Sequence, residues 1–217
     1  MFTLPLGDAP RSRLRVLALG AHADDIEIGC GGTILRLAQE YPELEAHWIV
    51  LSGSSDRAGE ARASAESFLE GVAESQIVLK DFRDGYFPYT GGAVKDFFED
   101  LKGEIVPDLI LTHQRHDLHQ DHRLVCELTW NTFRDHLILE YEIPKYDGDL
   151  GAPNFFVHLD RETCDRKIAT IMEHFATQLD RRWFTDDLFR SLLRLRGMES
   201  NSPNGTAEAF YSRKIAV

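Results

Sequence analysis

Short apolar runs of β type alternate along this chain with longer stretches whose apolar residues recur at intervals of three and four, and no other feature narrows the fold as much. "LRVLALGA" at 14–21, "AHWIVLSG" at 46–53, "SQIVLKDF" at 75–82 and "PDLILTH" at 107–113 read as strands. Between them, "TILRLAQEY" places Ile34, Leu37, Ala38 and Tyr41 on one helical face, and the segment 58–72 does the same with Ala61, Ala65, Phe68 and Leu69. "AVKDFFEDLKGEI" supplies a third helix, and Pro107 opens the fourth strand where a missing N–H does least harm. Strand and helix in regular succession specify βαβ units and a parallel sheet. The expected fold is α/β, a Rossmann-like, doubly wound, mostly parallel sheet with helices on both faces. Further along, "LILEYEI" and "NFFVHLD" read as strands, 161–178 as a helix, and "TDDLFRSLLRLRGM" as another with Thr185 as N-cap. The turn-rich "IPKYDGDLGAPN" lies between, and neither a repeat nor a long linker divides the chain. With 43% apolar residues available for a core, one domain over residues 1–217 is expected.

Charge and cysteine usage narrow the class of partner. Lys and Arg number 24 against 36 Asp and Glu, a formal charge of −12, and the basic residues are interspersed with acidic ones. That distribution argues against nucleic acid and for a small-molecule substrate. Cys30, Cys126 and Cys164 are odd in number, far apart and without a Cys-x-x-Cys pair, which suits a reducing compartment better than a disulfide framework or a thiolate zinc site. The opening "MFTLPLGDAPRSR" lacks a basic start followed by an apolar run, and no segment approaches a membrane span. A soluble cytoplasmic protein is expected. Edge strands and the terminal "FYSRKIAV" could pair with another subunit, which leaves a homo-oligomer open.

In a doubly wound sheet, ligands bind beyond the carboxyl ends of the strands. Two polar clusters fall there. "ALGAHADDIEIGCGGT", residues 18–33, puts a histidine and two aspartates where the first strand runs into a glycine-rich turn, and "HQRHDLHQDH", residues 113–122, follows the fourth strand with four histidines. Singly, an aspartate pair before a helix is a cap, and a histidine-rich loop is solvated surface. Together they offer imidazole and carboxylate from one strand end and imidazole from another, the donor set of a zinc site that keeps a position for water. A dinucleotide turn fits less well, because Gly29, Gly31 and Gly32 do not follow G-x-G-x-x-G and the aspartates would repel a pyrophosphate. Cys30 reads as a small buried residue beside them.

"AHADDIEIGCGGT" and "HDLHQDH" resemble the two signature motifs of the PIG-L family, also called LmbE-like proteins, which are zinc-dependent de-N-acetylases of N-acetylglucosaminyl and related amides. The first motif is usually A-H-P-D-D-E; here Ala23 replaces proline, and the acidic residue comes one position later, as Glu27. Asp117, His119, Asp121 and His122 fill the second, and a looser likeness runs through "RAGEARASAE", Asp84–Gly85 and the terminal "AEAF". The resemblance implies that His22, Asp25 and His122 bind zinc, although the same donors would hold Fe2+, cobalt or manganese. Asp24 would be the general base, since ligation removes the basicity of Asp25. His119, held charged by Asp121, would face the oxyanion; the alternative is that the pair only braces the loop. Either Asp24 or His119 would protonate the leaving amine. Arg57 matches a family arginine that holds a sugar hydroxyl or phosphate, or is simply a solvated residue opening a helix. Asp84 would accept from substrate hydroxyls or turn the chain. Phe82, Tyr86, Phe87 and Tyr89 stack on a sugar or pack in the core. His113 would support the site from behind, with His116 exposed. The expected function is a metal-dependent hydrolase that removes an N-acetyl or related N-acyl group from an amino sugar or sugar-containing small molecule. A hydrolase of another amide or of a phosphoester, and a non-catalytic metal-binding protein on the same fold, are the alternatives.

Overall fold

The computed structural model describes residues 13–53 and 55–215, so the opening segment discussed above and the last two residues lie outside the described part. Its elements are β1 (Arg13–His22), α1 (Asp25–Glu40), β2 (Glu43–Ser52), α2 (Ser55–Phe68), β3 (Glu74–Leu79), α3 (Gly91–Glu104), β4 (Leu109–His113), α4 (Gln120–Thr132), β5 (Leu137–Tyr141), β6 (Phe155–His158), α5 (Arg161–His174), α6 (Asp186–Glu199) and β7 (Ala207–Ser212). The strands form one seven-stranded sheet in the order β3-β2-β1-β4-β5-β7-β6. β1 to β5 pair in parallel, and β7 runs antiparallel between β5 and β6. The Rossmann-like, mostly parallel α/β fold expected from the sequence is the fold observed.

Alternation along β1 explains why helices cover both faces. Leu14, Val16 and Ala18 pack with Ile34, Phe68, Ile168 and Phe189 from α1, α2, α5 and α6. Leu17, Leu19 and Ala21 point the other way, onto Val94, Phe98, Val125 and Leu128 from α3 and α4. A strand buried on both sides has to be apolar there, as residues 16–21 of this one are. From β1 the chain winds outward through β2 and β3, then returns to lay β4 on the opposite side of β1, so the point where the strand order reverses, at which such sheets bind ligands, falls at the carboxyl ends of β1 and β4. Among the described residues no helix is long and apolar enough to cross a membrane.

Three local readings are corrected. The glycine-rich stretch after β1 is no turn: Gly29, Gly31 and Gly32 lie inside α1. They are there for close packing, because a Cβ at Gly29 would stand 2.1 Å from the Tyr141 ring, one at Gly31 2.6 Å from Phe68, and one at Gly32 2.5 Å from Leu159. Of the terminal stretch expected to be open to another subunit, Phe210, Tyr211 and Ser212 are taken up by the chain's own sheet. The segment 161–178 is helical only to His174, followed by a 3-10 turn at Ala176–Gln178. Thr185 does cap α6, accepting the Leu188 N–H at 3.2 Å.

β7 and α5 also fix α1. Glu208 accepts from the N–H groups of Gly32 (2.8 Å) and Thr33 (2.6 Å), while Lys167 donates to Glu208 at 2.6 Å and to the Ile28 carbonyl at 2.7 Å. Gly29→Ala tests how tightly the helix is seated. Alanine gains about 1 kcal/mol of helix propensity, but forcing a methyl into the Tyr141 ring costs about 3 kcal/mol. A net loss of about 2 kcal/mol in urea unfolding is expected; unchanged stability would show that α1 and β5 are not in this contact.

Candidate metal centre and active site

His22 is the last residue of β1 and Asp25 the first of α1, so the helix folds back over the strand end and the His22 N–H donates to Asp25 Oδ2 at 2.6 Å. α4 opens at Gln120, and its N-cap, His119, accepts the Asp121 N–H on Nδ1 at 3.3 Å. This start puts His122 in the first turn, against β1. His22 Nδ1 stands 3.1 Å from His122 Nε2 and 3.4 Å from Asp25 Oδ2, and His122 Nε2 stands 3.6 Å from Asp25 Oδ1. Donors bound tetrahedrally to zinc stand about 3.3 Å apart, given bonds near 2.0 Å. Two imidazoles and one carboxylate at this spacing fit a divalent cation in both chemistry and reach.

Each imidazole is oriented through its other nitrogen. His122 Nδ1 meets Asp117 Oδ2 at 2.9 Å, and His22 Nε2 meets Asp84 Oδ1 at 3.1 Å and Asp121 Oδ2 at 3.2 Å. Such carboxylate partners hold a metal-binding ring in one tautomer. Burial and the neighbouring His113 push His122 down to about 3, so its ring is neutral with a lone pair to give. Burial opposes charge on Asp25, but the imidazoles of His122 and His113 outweigh it and hold that carboxyl well below its ordinary range. At His22 burial likewise opposes charge, and hydrogen bonds that the ring donates to Asp121, Asp25 and Asp84 outweigh it to raise the ring's pKa, so a bound cation would compete with a proton there.

Among the described residues, single donor atoms also lie within 4.8 Å of one another in Asp25 with His113 and His122, in His22 with His119 and His122, and in His22 with Asp84, His119 and Asp121. His113 is the weaker donor, because its Nε2 already accepts the Ala21 N–H at 3.0 Å and its Nδ1 is buried without a hydrogen-bond partner among the described residues. It sits behind the site, its ring stacked 3.9 Å from His122, while His116 is exposed.

Asp24 occupies the N-cap position of α1 yet makes no side-chain cap hydrogen bond. Its carboxylate meets Arg57 Nη2 at 3.0 Å instead. Burial raises its pKa against the pull of Arg57, which leaves a carboxylate beside the cluster with a proton affinity above the ordinary. Arg57, expected to touch substrate or solvent, is therefore tied to Asp24 and keeps a buried Nε with no hydrogen-bond partner among the described residues. Asp84 is 65% exposed, with one oxygen on His22. Phe87 is buried against His22, ring centroids 6.0 Å apart, whereas Tyr86 and Tyr89 are exposed and pack on each other at 5.9 Å.

The reading of Asp121 as the group that keeps His119 charged is not met. The Asp121 carboxylate accepts the N–H groups of Gly85 (2.6 Å) and Phe87 (3.1 Å) and faces His22; only its main-chain N–H touches His119. Burial, then His22, lower the His119 pKa. Asp121 instead docks the loop after β3 onto α4. Sequence reasoning missed Tyr141, whose hydroxyl donates to the Leu19 carbonyl at 2.7 Å beside His113, and Lys145, which reaches Asp117 at 3.0 Å. Neither carried a local signal, since a strand tyrosine and a lysine in a turn-rich stretch are unremarkable until the chain is folded.

Residues 17–133, a span that holds both clusters, match the family described as "PIG-L: GlcNAc-PI de-N-acetylase". The chain belongs to the PIG-L family. It is 29% identical over 170 residues to the "Uncharacterized deacetylase YaiS" of Escherichia coli (strain K12), covering 75% of this chain and 91% of that protein. In fold this PIG-L protein is similar to the N,N'-diacetylchitobiose deacetylase from Pyrococcus horikoshii, with a TM-score of 0.70, 22% identity, and coverage of 92% of this chain and 83% of the other. It is equally similar to GalB, the 4-carboxy-2-hydroxymuconate hydratase from Pseudomonas putida KT2440, with a TM-score of 0.71, 18% identity, and coverage of 94% and 98%. A deacetylase and a hydratase thus share the architecture, and the reaction has to be inferred from the side chains.

Proposed function

We propose that this PIG-L protein is a metal-dependent amide hydrolase that removes an N-acetyl or related N-acyl group from an amino sugar or a sugar-containing small molecule. The observation that carries the reading is the convergence of His22, Asp25 and His122 within 3.1 to 3.6 Å of one another, with the Asp24 carboxylate beside them and not spent on capping. Zinc is the proposed ion, with Fe2+ as the alternative that the same donors accept. Bound there, such an ion supplies Lewis acidity toward water and toward the amide carbonyl oxygen.

The chain's own groups do the rest. Asp24 takes the proton of the attacking water, its raised affinity for a proton matching the task. Arg57 holds that carboxylate in place. His119 has Nδ1 occupied by the Asp121 N–H, so its neutral ring carries hydrogen on Nε2 and can donate to the developing oxyanion without being charged. Asp24 or His119 returns a proton to the departing amine. Asp84, exposed beside His22, accepts from substrate hydroxyls. The three cysteines are free and buried, which supports a reducing, cytoplasmic setting.

Acetate release from N-acetylglucosaminyl compounds, with and without a chelator, tests the reading. Release that stops on chelation and returns with zinc is expected; release of phosphate from phosphoesters instead, or no turnover of either class by the zinc-loaded protein, overturns it.

A further inference from the structure

We propose that Lys145 is a positioning residue of the cation site: through Asp117 it ties the loop after β5 to the ring of His122, so that this loop sets how tightly a divalent cation is held. The inference rests on the reading of His22, Asp25 and His122 as ligands.

Lys145 follows Pro144 in the turn-rich stretch that joins β5 to β6, yet its side chain is only 10% exposed. Its Nζ lies 3.0 Å from Asp117 Oδ1 and also donates to Asp149 Oδ2. The Asp117 side chain is fully buried. Oδ1 accepts the His119 N–H at 2.8 Å as well, and Oδ2 takes His122 Nδ1 at 2.9 Å, which turns His122 Nε2 toward His22 and Asp25. One carboxylate therefore fixes the entry to α4 and the ring of a proposed ligand together, and Lys145 is its counter-charge from outside the helix.

The lysine is held as firmly as it holds. Asp149 Oδ2 accepts the Leu118 N–H at 2.7 Å, and the Asp149 carbonyl accepts from Gln114 Nε2 at 3.1 Å, so residues 145–149 lie across 114–118 as a strap. Gly148, at φ 65°, lets the strap turn back on itself. Beyond it, the Gly151 N–H donates to Glu142 Oε1 at 2.9 Å, and buried Arg196 donates to Glu142 Oε2 and to the Gly151 carbonyl, closing the base of the loop.

Two opposed effects follow from removing the ammonium. Loss of a positive charge near the site would by itself favour a cation. Against this, Asp117 and Asp149 are left buried on either side of a vacated counter-charge, and an uncompensated buried carboxylate does not keep its place. Displacing Asp117 frees the His122 ring, and outer partners of metal-binding imidazoles are worth roughly 10- to 100-fold in affinity. The positional effect is the larger, so the cation should bind more weakly.

Competition for zinc against a chromophoric chelator reads this directly on purified, chelator-treated full-length protein. Lys145→Met, which keeps length and removes charge, should bind zinc roughly 10-fold or more weakly than the unaltered protein. Lys145→Arg should restore most of the affinity. The methionine change should have little further effect in an Asp117→Asn background, because the two act in series. Lys145→Gln, which retains a donor, should fall between and serves if the methionine variant does not fold. An unchanged or tighter affinity in Lys145→Met or Lys145→Gln, with only the melting temperature altered, contradicts the proposal; so does an equal weakening in the Asp117→Asn background. Failure of the unaltered protein to bind zinc would remove the cation reading itself, and this inference with it.

Discussion

Asp24→Asn is expected to lower kcat for deacetylation by roughly 10²- to 10⁴-fold, the usual worth of a positioned general base, while the bound zinc stays at its original stoichiometry. The separation follows from geometry. Asp24 is one residue from Asp25, but the two carboxylates face different partners: Asp25 meets His22, His113 and His122, and Asp24 meets Arg57. Asparagine keeps the volume and a carbonyl for Arg57 but has no useful basicity. Because Asp24 makes no side-chain cap hydrogen bond, stability should change little, unlike the loss of about 1 kcal/mol typical of a removed aspartate cap. Steady-state kinetics with metal analysis of the same sample checks both parts. Turnover retained with zinc in place would mean that another group takes the proton.

Asp25→Ala should have the opposite signature, losing the cation and the activity together. The substitution removes the anionic donor of the proposed set and strands the buried His22 N–H, which gives its hydrogen bond to Asp25 Oδ2. A buried donor left without an acceptor costs about 1–3 kcal/mol. The affinity for zinc should fall by more than the roughly 10- to 100-fold of an outer partner, and denaturant unfolding should show the metal-free variant less stable than the metal-free parent. If Asp25→Ala binds zinc as the parent does, the set of Asp25, His113 and His122 falls as well, and the group of His22, His119 and His122 takes precedence.

Much of this was legible before folding, for reasons that particular residues show. β1, β2 and β4 are buried on both faces, so their apolar runs announce them, and the return of Phe68 and Ala65 to one face announces α2. α4 carries no such signal. Its buried face mixes Val125 and Leu128 with Cys126, Thr129 and Thr132, and its first turn holds Asp121 and His122, so the apolar period is masked by the same residues that build the site. The glycines of α1 misled because glycine usually punctuates; their role depends on Tyr141, Phe68 and Leu159, none of them near in sequence. Pairing of β7 between β5 and β6 is equally non-local.

In the candidate site, the convergence of side chains is legible where the pattern is local, as in the His-x-Asp-Asp run, and illegible where a contact depends on a distant partner. Nothing in "DLHQDH" says that the Asp121 carboxylate will be taken by the backbone of Gly85 and Phe87 instead of His119. Nothing in "IPKYDGDLG" says that one lysine will cross to Asp117.

An anomalous difference map recorded at the zinc absorption edge from crystals of zinc-loaded protein tests the central claim most directly. A single strong peak is expected between His22 Nδ1, Asp25 and His122 Nε2, with Asp24 outside bonding distance. No peak there, or a peak held by His113 or Asp84 in place of His22, would contradict it.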